Sequence, residues 1–199
     1  MEEIIKVVVG AFGTNCYVLK ENKSVLIIDP GKKGDRIMQH INDDEQVEGI
    51  LLTHGHFDHI GAVDELASHY NCKVYINFKD KELISSKHNS MAGLSASINH
   101  ELNPLDNGFI KIGNFDLEII ETPGHTEGSI LIRYKNNSVT GDTLFKGTIG
   151  RTDLFMGNNS KMNQSIKLIK TLNPDYLVYP GHEDITSLKE EFLNNPFYK

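Results

Sequence analysis

The sequence predicts an α/β fold in which two β-sheets pack face to face with helices outside. Three observations lead there. Short apolar runs with strand character come both early and late in the chain, each half carries helical segments, and Gly- or Pro-bearing turns punctuate the strand ends.

Taken in order, Ile5, Val7 and Val9 alternate with other residues, residues 16–20 give a second run, and 25–28 a third, so the chain opens as a β-meander. Asp29-Pro30-Gly31 stops it. Residues 35–41 have helical spacing with Ile37 and Ile41 on one face, and 47–53 read as a buried strand leading to His54. A helix is predicted over 58–69, a strand over 73–76 and a short helix over 79–84. Residues 115–122 form a strand ending at Pro123-Gly124-His125; 129–134 and 138–140 follow, the second ending at Gly141-Asp142. A helix over 161–172, a strand over 176–179 and a helix over 186–193 complete the chain. Residues 85–104 and 147–159 lack periodicity, and irregular stretches of that length are read as walls of a site mouth.

The 199 residues suit one domain, 1–199, without an internal repeat or linker. The net charge of −7 argues against a nucleic-acid partner, which would need a basic face. Lys32-Lys33 is the longest basic run, too short for a membrane patch. The acidic start Met1-Glu2-Glu3 does not resemble a signal peptide, and Cys16 and Cys72 read as buried free thiols, so a cytoplasmic location is expected.

His54-Gly55-His56-Phe57-Asp58-His59 carries most of the chemistry: three histidines and an aspartate in six residues. Burying such groups without partners costs a few kcal/mol each, about enough to exclude an ordinary core role. An extended turn puts His54 and His56 on one side, while Asp58 and His59 begin the next helix and reach a second point. That spacing suits two adjacent metal ions. His125, Asp142 and His182 each follow a glycine at a strand end, where the backbone can turn a side chain inward. His40, His69, His88 and His100 stand alone and read as ordinary surface histidines.

The string from His54 to His59, followed by His125, Asp142 and His182, resembles the ligand set of the metallo-β-lactamase superfamily over about residues 12–197. The resemblance implies a four-layer αββα sandwich with two mixed sheets and its metals at one edge. It implies that His54, His56 and His125 hold a first metal ion and Asp58, His59 and His182 a second, with Asp142 bridging. The ions would be two divalent metals, zinc first, with iron or manganese as alternatives, and would acidify a shared water.

Gly141-Asp142-Thr143-Leu144-Phe145, Gly150-Arg151-Thr152-Asp153 and Tyr179-Pro180-Gly181-His182-Glu183 look like the glyoxalase II-like branch. That branch hydrolyses S-acylated thiols such as hydroxyacylglutathione, so a small-molecule thioester is the expected substrate, attacked by metal-bound hydroxide. Asp58 and Asp142 are the expected catalytic carboxylates. A thiolate leaves without a strong general acid, whereas an amide nitrogen needs one. Two-domain members add a helical glutathione-binding domain after the position where this chain ends, which argues against strong glutathione specificity. Arg151 is weighed equally as a substrate carboxylate anchor and as a salt-bridge partner of Asp153. The main alternative is a persulfide dioxygenase with one iron on His54, His125 and Asp142, a two-histidine-one-carboxylate triad. That family tends to carry Ala where this chain has Gly181. Lactonase and β-lactamase-like hydrolysis are lesser alternatives.

Overall fold

The structure is a computed structural model and describes residues 2–199. Strands β1 (Glu2–Val9), β2 (Thr14–Glu21) and β3 (Ser24–Ile28) form the antiparallel meander. After helix α1 (Gly34–Met38), β4 (Gln46–Leu51) joins β3 in parallel. Helices α2 (Phe57–Ile60) and α3 (Val63–Tyr70) lead to β5 (Lys73–Ile76), parallel to β4. A 3-10 turn (Phe78–Asp80), helix α4 (Lys81–Ser85) and a hairpin of β6 (Ser90–Met91) and β7 (Leu94–Ser95) follow. Strand β8 (Leu102–Pro104) then closes a six-stranded sheet of order β1-β2-β3-β4-β5-β8.

The second sheet begins with β9 (Gly108–Ile112), β10 (Phe115–Glu121), β11 (Ile130–Tyr134) and β12 (Asn137–Gly141). A small hairpin, β13 (Leu144–Phe145) and β14 (Thr148–Ile149), precedes helix α5 (Asn159–Ile169). Strand β15 (Leu177–Pro180) returns parallel to β12, and β16 (Thr186–Ser187) and helix α6 (Leu188–Asn194) follow. The order is β16-β15-β12-β11-β10-β9. No helix among the described residues is long and apolar enough to cross a membrane.

Side-chain alternation makes the layers. In β2, Cys16 and Val18 join one apolar cluster with Ile37 of α1 and Val63, Leu66 and Ala67 of α3, while Tyr17 and Leu19 point the other way. There they meet Leu117, Ile119, Ile130 and Ile132 of the second sheet. On that sheet's far face, Ile120, Leu131 and Val178 pack on Met162, Ile166 and Ile169, one stripe of α5. Helix, sheet, sheet and helix are thus glued by three apolar seams, each buried aliphatic side chain contributing roughly 1.5–3 kcal/mol. Cys16 and Cys72 are buried free thiols within the first seam, and burial pushes both thiols up, Cys72 to about 11.

Several element predictions are corrected. The helix over 58–69 is broken at Gly61-Ala62, because Ala62 N–H donates to the Pro30 carbonyl and a Cβ at Gly61 would lie 2.3 Å from Gly31 O. The helix over 186–193 starts at Leu188, where the Ser187 hydroxyl caps it by accepting from Glu190 N–H. The stretch 85–104 is not wholly irregular: it holds the β6–β7 hairpin and the short strand β8.

Candidate metal centre

Strand ends of both sheets meet at one edge of the sandwich. Strand β4 runs into Thr53-His54-Gly55-His56; β10 into Pro123-Gly124-His125; β12 into Asp142; β15 into Gly181-His182. Gly141 has φ +48°, and a Cβ there would strike Thr53 Oγ1 at 2.3 Å, so only glycine lets β12 approach the first sheet this closely.

All seven residues singled out in the sequence converge. His125 Nε2 lies 2.8 Å from His56 Nδ1 and 3.4 Å from Asp142 Oδ2. His182 Nε2 lies 3.4 Å from Asp58 Oδ2, 3.5 Å from Asp142 Oδ2 and 3.4 Å from His59 Nε2. His59 Nε2 is 3.4 Å from Asp142 Oδ1. Two triads result, His54–His56–His125 and Asp58–His59–His182, each with donor atoms within 4.8 Å of one another. Asp142 stands between them.

The outward nitrogens fix what the inward ones present. His125 Nδ1 meets the Arg151 carbonyl at 2.8 Å and His182 Nδ1 the Phe12 carbonyl at 3.2 Å. A carbonyl only accepts, so each Nδ1 carries the proton and each Nε2 of a neutral ring offers a lone pair. Asp29 Oδ2 does the same for His59 Nδ1 at 3.0 Å. It also accepts from the Thr53 hydroxyl at 2.6 Å, leaving Thr53 Oγ1 to accept from His54 Nδ1 at 3.1 Å. His54 Nε2 and Asp142 Oδ1 are then buried without any hydrogen-bond partner. A buried donor set with orphaned lone pairs aimed at common points fits divalent metal ions, and its nitrogen and carboxylate chemistry suits zinc, iron or manganese. Asp29, His54 and His59 also lie close enough to form a third cluster, but Asp29 is already committed to Thr53 and His59 Nδ1 and acts from outside.

Electrostatics divide the two triads. Burial and the neighbouring histidines drive His54 far below the ordinary imidazole value and His56 to about 3, so both are neutral and ready to ligate. Burial opposes charge on His59 as well, but Asp142, Asp58 and Asp29 outweigh it and raise it to about 9. His182 rises to about 10 against the same penalty, held by Asp142 and Asp58. Burial likewise works against the carboxylates, yet His59 and His182 bring Asp58 down to about 2 and hold Asp142 well below its ordinary value. In chelator-stripped protein at neutral pH, protons on His59 and His182 therefore do the work a cation would do. Both must leave on metal binding, so affinity at this triad should rise with pH and level off above about pH 10. Calorimetric titration in buffers of different ionisation enthalpy should read roughly two protons released per chain near pH 7. An affinity flat between about pH 6 and pH 9 would contradict it.

Outer residues that the sequence reading did not assign brace the loops. Asp80, fully buried, accepts from Gly55 N–H at 2.8 Å, Thr126 Oγ1 at 2.8 Å and Gly128 N–H at 2.6 Å. It ties the His54–His56 turn to the turn after His125. Asn89 accepts from Phe57 N–H and donates to Gly55 O, and Thr14 donates to Asp58 Oδ2 at 3.0 Å. Asp29 ends strand β3 at φ +52°, a left-handed conformation rare for a non-glycine residue.

Comparison with known proteins settles the family. Residues 9–182 match the metallo-beta-lactamase superfamily. The chain belongs to that superfamily. The hydroxyacylglutathione hydrolase GloC of Haemophilus influenzae is 35% identical over 200 residues, covering 95% of this chain and 94% of that protein. The crystal structure of BLEG-1, a B3 metallo-beta-lactamase, superposes with TM-score 0.93 at 30% identity over 99% of this chain and 100% of that one. That of TTHA1623 in a di-iron-bound form gives 0.88 at 29% identity, covering 97% and 99%. ETHE1 of Myxococcus xanthus gives 0.79 at 27% identity, covering 98% and 83%. A metal-dependent superfamily member is thus what the donor cluster serves.

The superfamily site opens into a cavity of 520 Å³ bordered by His56, Asp58, His125, Asp142 and His182. Met91 of the β6–β7 hairpin, Phe145, Ile149, Leu154 and Phe155 give it an apolar wall. Both aperiodic stretches of the sequence therefore contribute to the mouth, as expected. Arg151 borders the cavity too, but its Nε and Nη2 donate to the two Asp153 oxygens at 2.7 and 2.8 Å. Of the two roles weighed for Arg151, the salt bridge with Asp153 is present in the structure.

Proposed function

We propose that this superfamily member is a dinuclear metallohydrolase that cleaves small S-acyl thiols. The observation that carries this reading is the space at Gly181. A Cβ there would lie 2.1 Å from Asp142 Oδ1 and 2.8 Å from His59 Cε1. The alanine common at this place in persulfide dioxygenases would displace the bridging carboxylate and a second-triad histidine. Glycine leaves both in reach, which favours two ions over a single iron on His54, His125 and Asp142.

Bound there, a pair of divalent ions supplies an acidified water and a Lewis acid for the oxyanion. The chain supplies position. Asp142 spans the two triads, and Asp58, held anionic and oriented by the Thr14 hydroxyl, would position the water by accepting a hydrogen bond from it while its proton passes to solvent. A C–O bond forms at the thioester carbonyl, the C–S bond breaks, and the sulfur leaves with its electron pair. The products are a carboxylic acid and a thiol. Because a thiol has a pKa near 8–9, no dedicated acid is needed at the leaving group.

Arg151, with its guanidinium tied to Asp153, is assigned chiefly to holding His125 through its carbonyl; a substrate carboxylate would have to share it with Asp153. The name of GloC gives hydroxyacylglutathione hydrolysis to a protein of nearly the same extent, so a glutathione thioester belongs among the test substrates. Free buried thiols at Cys16 and Cys72 fit a cytoplasmic setting.

Elemental analysis of metal-replete protein should give about two ions per chain. A thiol-trapping dye should register turnover of at least one short thioester with added Zn²⁺, Mn²⁺ or Fe²⁺. A single iron per chain with oxygen uptake on a persulfide, and no thiol release, would replace this reading with the dioxygenase.

A further inference from the structure

A second cavity, of 260 Å³, lies beside the first and shares Phe12, Phe57 and Asp58 with it. Phe12 and Phe57 meet edge to face, ring centroids 5.5 Å apart, as a partition between the two. The β6–β7 hairpin walls both, with Ser90 and Met91 on one side and Leu94 and Ser95 on the other. The two spaces are neighbours on either side of the Phe12–Phe57 pair, and Asp58 borders both.

Their chemistries differ. In the larger space the wall is apolar and its one guanidinium, Arg151, is already neutralised by Asp153. In the smaller space the floor is backbone at Gly10 and Gly31, the rim carries Ser95 and Ser97, and the cation is Lys32. Lys32 has no hydrogen-bond or ion-pair partner among the described residues. Asp58, the acid bordering both spaces, has its Oδ2 occupied by Thr14 and His182. Lys32, exposed and without a counter-charge, borders this cavity beside the donor cluster and offers a small anion entering it a positive partner.

We propose that the smaller cavity is the thiol subsite and selects carboxylate-bearing thiols through Lys32. This rests on the thioesterase reading above. With the scissile carbonyl over the donors, the acyl group lies along the apolar wall. The thiol arm passes the Phe12–Phe57 partition and sets its carboxylate against the Lys32 ammonium and the Ser95 and Ser97 rim. After the C–S bond breaks, the thiol leaves by this arm and the acid by the other.

The test holds the acyl group constant and varies the thiol: 3-mercaptopropionate and glutathione, both anionic, against neutral N-acetylcysteamine. Wild type should show lower KM for the anionic esters. Lys32→Ala should raise KM for these by about fivefold, the size expected of a partly exposed ion pair, with kcat and the neutral ester unchanged. Lys32→Glu should reverse the preference, and added salt should erode it in wild type only. Equal KM for charged and neutral thiols, or an equal loss on all esters in Lys32→Ala, would overturn the proposal. A binding measurement separates it from the thioesterase reading. Unreactive 3-(methylthio)propionate should shift the amide resonances of Lys32, Ser95 and Ser97 in wild type and not in Lys32→Glu. Such shifts without thiol release from any ester would sink the thioesterase reading and keep the anion site; absence of shifts would sink the site itself.

Discussion

Asp142→Asn protein is expected to lose both metal ions and at least about 10³-fold in kcat while remaining folded. The side chain keeps its volume but gives up the charge that faces His59, His125 and His182 at 3.4–3.5 Å. An amide placed there also turns an NH₂ group towards imidazole nitrogens that need an acceptor or a cation. Asp58→Asn removes a carboxylate from one triad only and should chiefly weaken that ion. Metal content of the two variants, read beside circular dichroism to establish folding, separates these outcomes. An Asp142→Asn protein that kept two ions and normal turnover would show that the carboxylate does not bridge.

Gly181→Ala should be nearly as damaging, for a purely steric reason. One methyl group would sit 2.1 Å from Asp142 Oδ1 and 2.8 Å from His59 Cε1, so the carboxylate must move by more than an ångström. A displacement of about 1 Å at a catalytic centre costs about 10² in rate. The backbone cannot yield easily, because Gly181 N–H donates to Gly141 O at 2.8 Å and its carbonyl accepts from Asn15 N–H at 2.7 Å. Stoichiometry should fall towards one ion per chain, with the His54–His56–His125 triad retained. Full activity with two ions in Gly181→Ala would remove the main support for the dinuclear reading.

The donor residues could be read from the sequence because His54, His56, Asp58 and His59 crowd into six residues after an apolar run, and His125, Asp142 and His182 each follow a glycine at a strand end, signals that need no tertiary knowledge. Their outer partners could not. Asp29 reaches Thr53 and His59 across 24 and 30 residues of chain, and Asp80 reaches Gly128 across 48. Alternation in β2 and β3 was similarly hidden, since both faces of these strands are buried and both are apolar. The break after α2 depends on the Pro30 carbonyl, a contact invisible in residues 57–70 themselves. Strand β9 is not legible in the sequence because its Phe109 faces solvent, inverting the usual pattern for an aromatic residue. The charge of Arg151 is legible in the sequence, but its carbonyl contact with His125 carries no side-chain signature at all.

The donors come from opposite halves of the sandwich: His54, His56, Asp58 and His59 from the loop after β4, and His125, Asp142 and His182 from the ends of β10, β12 and β15. Apolar packing joins the two sheets along their shared face, but at this rim polar groups replace it. Ions bound across the rim would act as rivets, so catalysis and mechanical closure depend on the same coordination bonds. Loss of metal would leave the closure of this rim to the protons on His59 and His182 and to cross-sheet contacts such as Asn15 N–H to Gly181 O, and spare the far end of the sandwich.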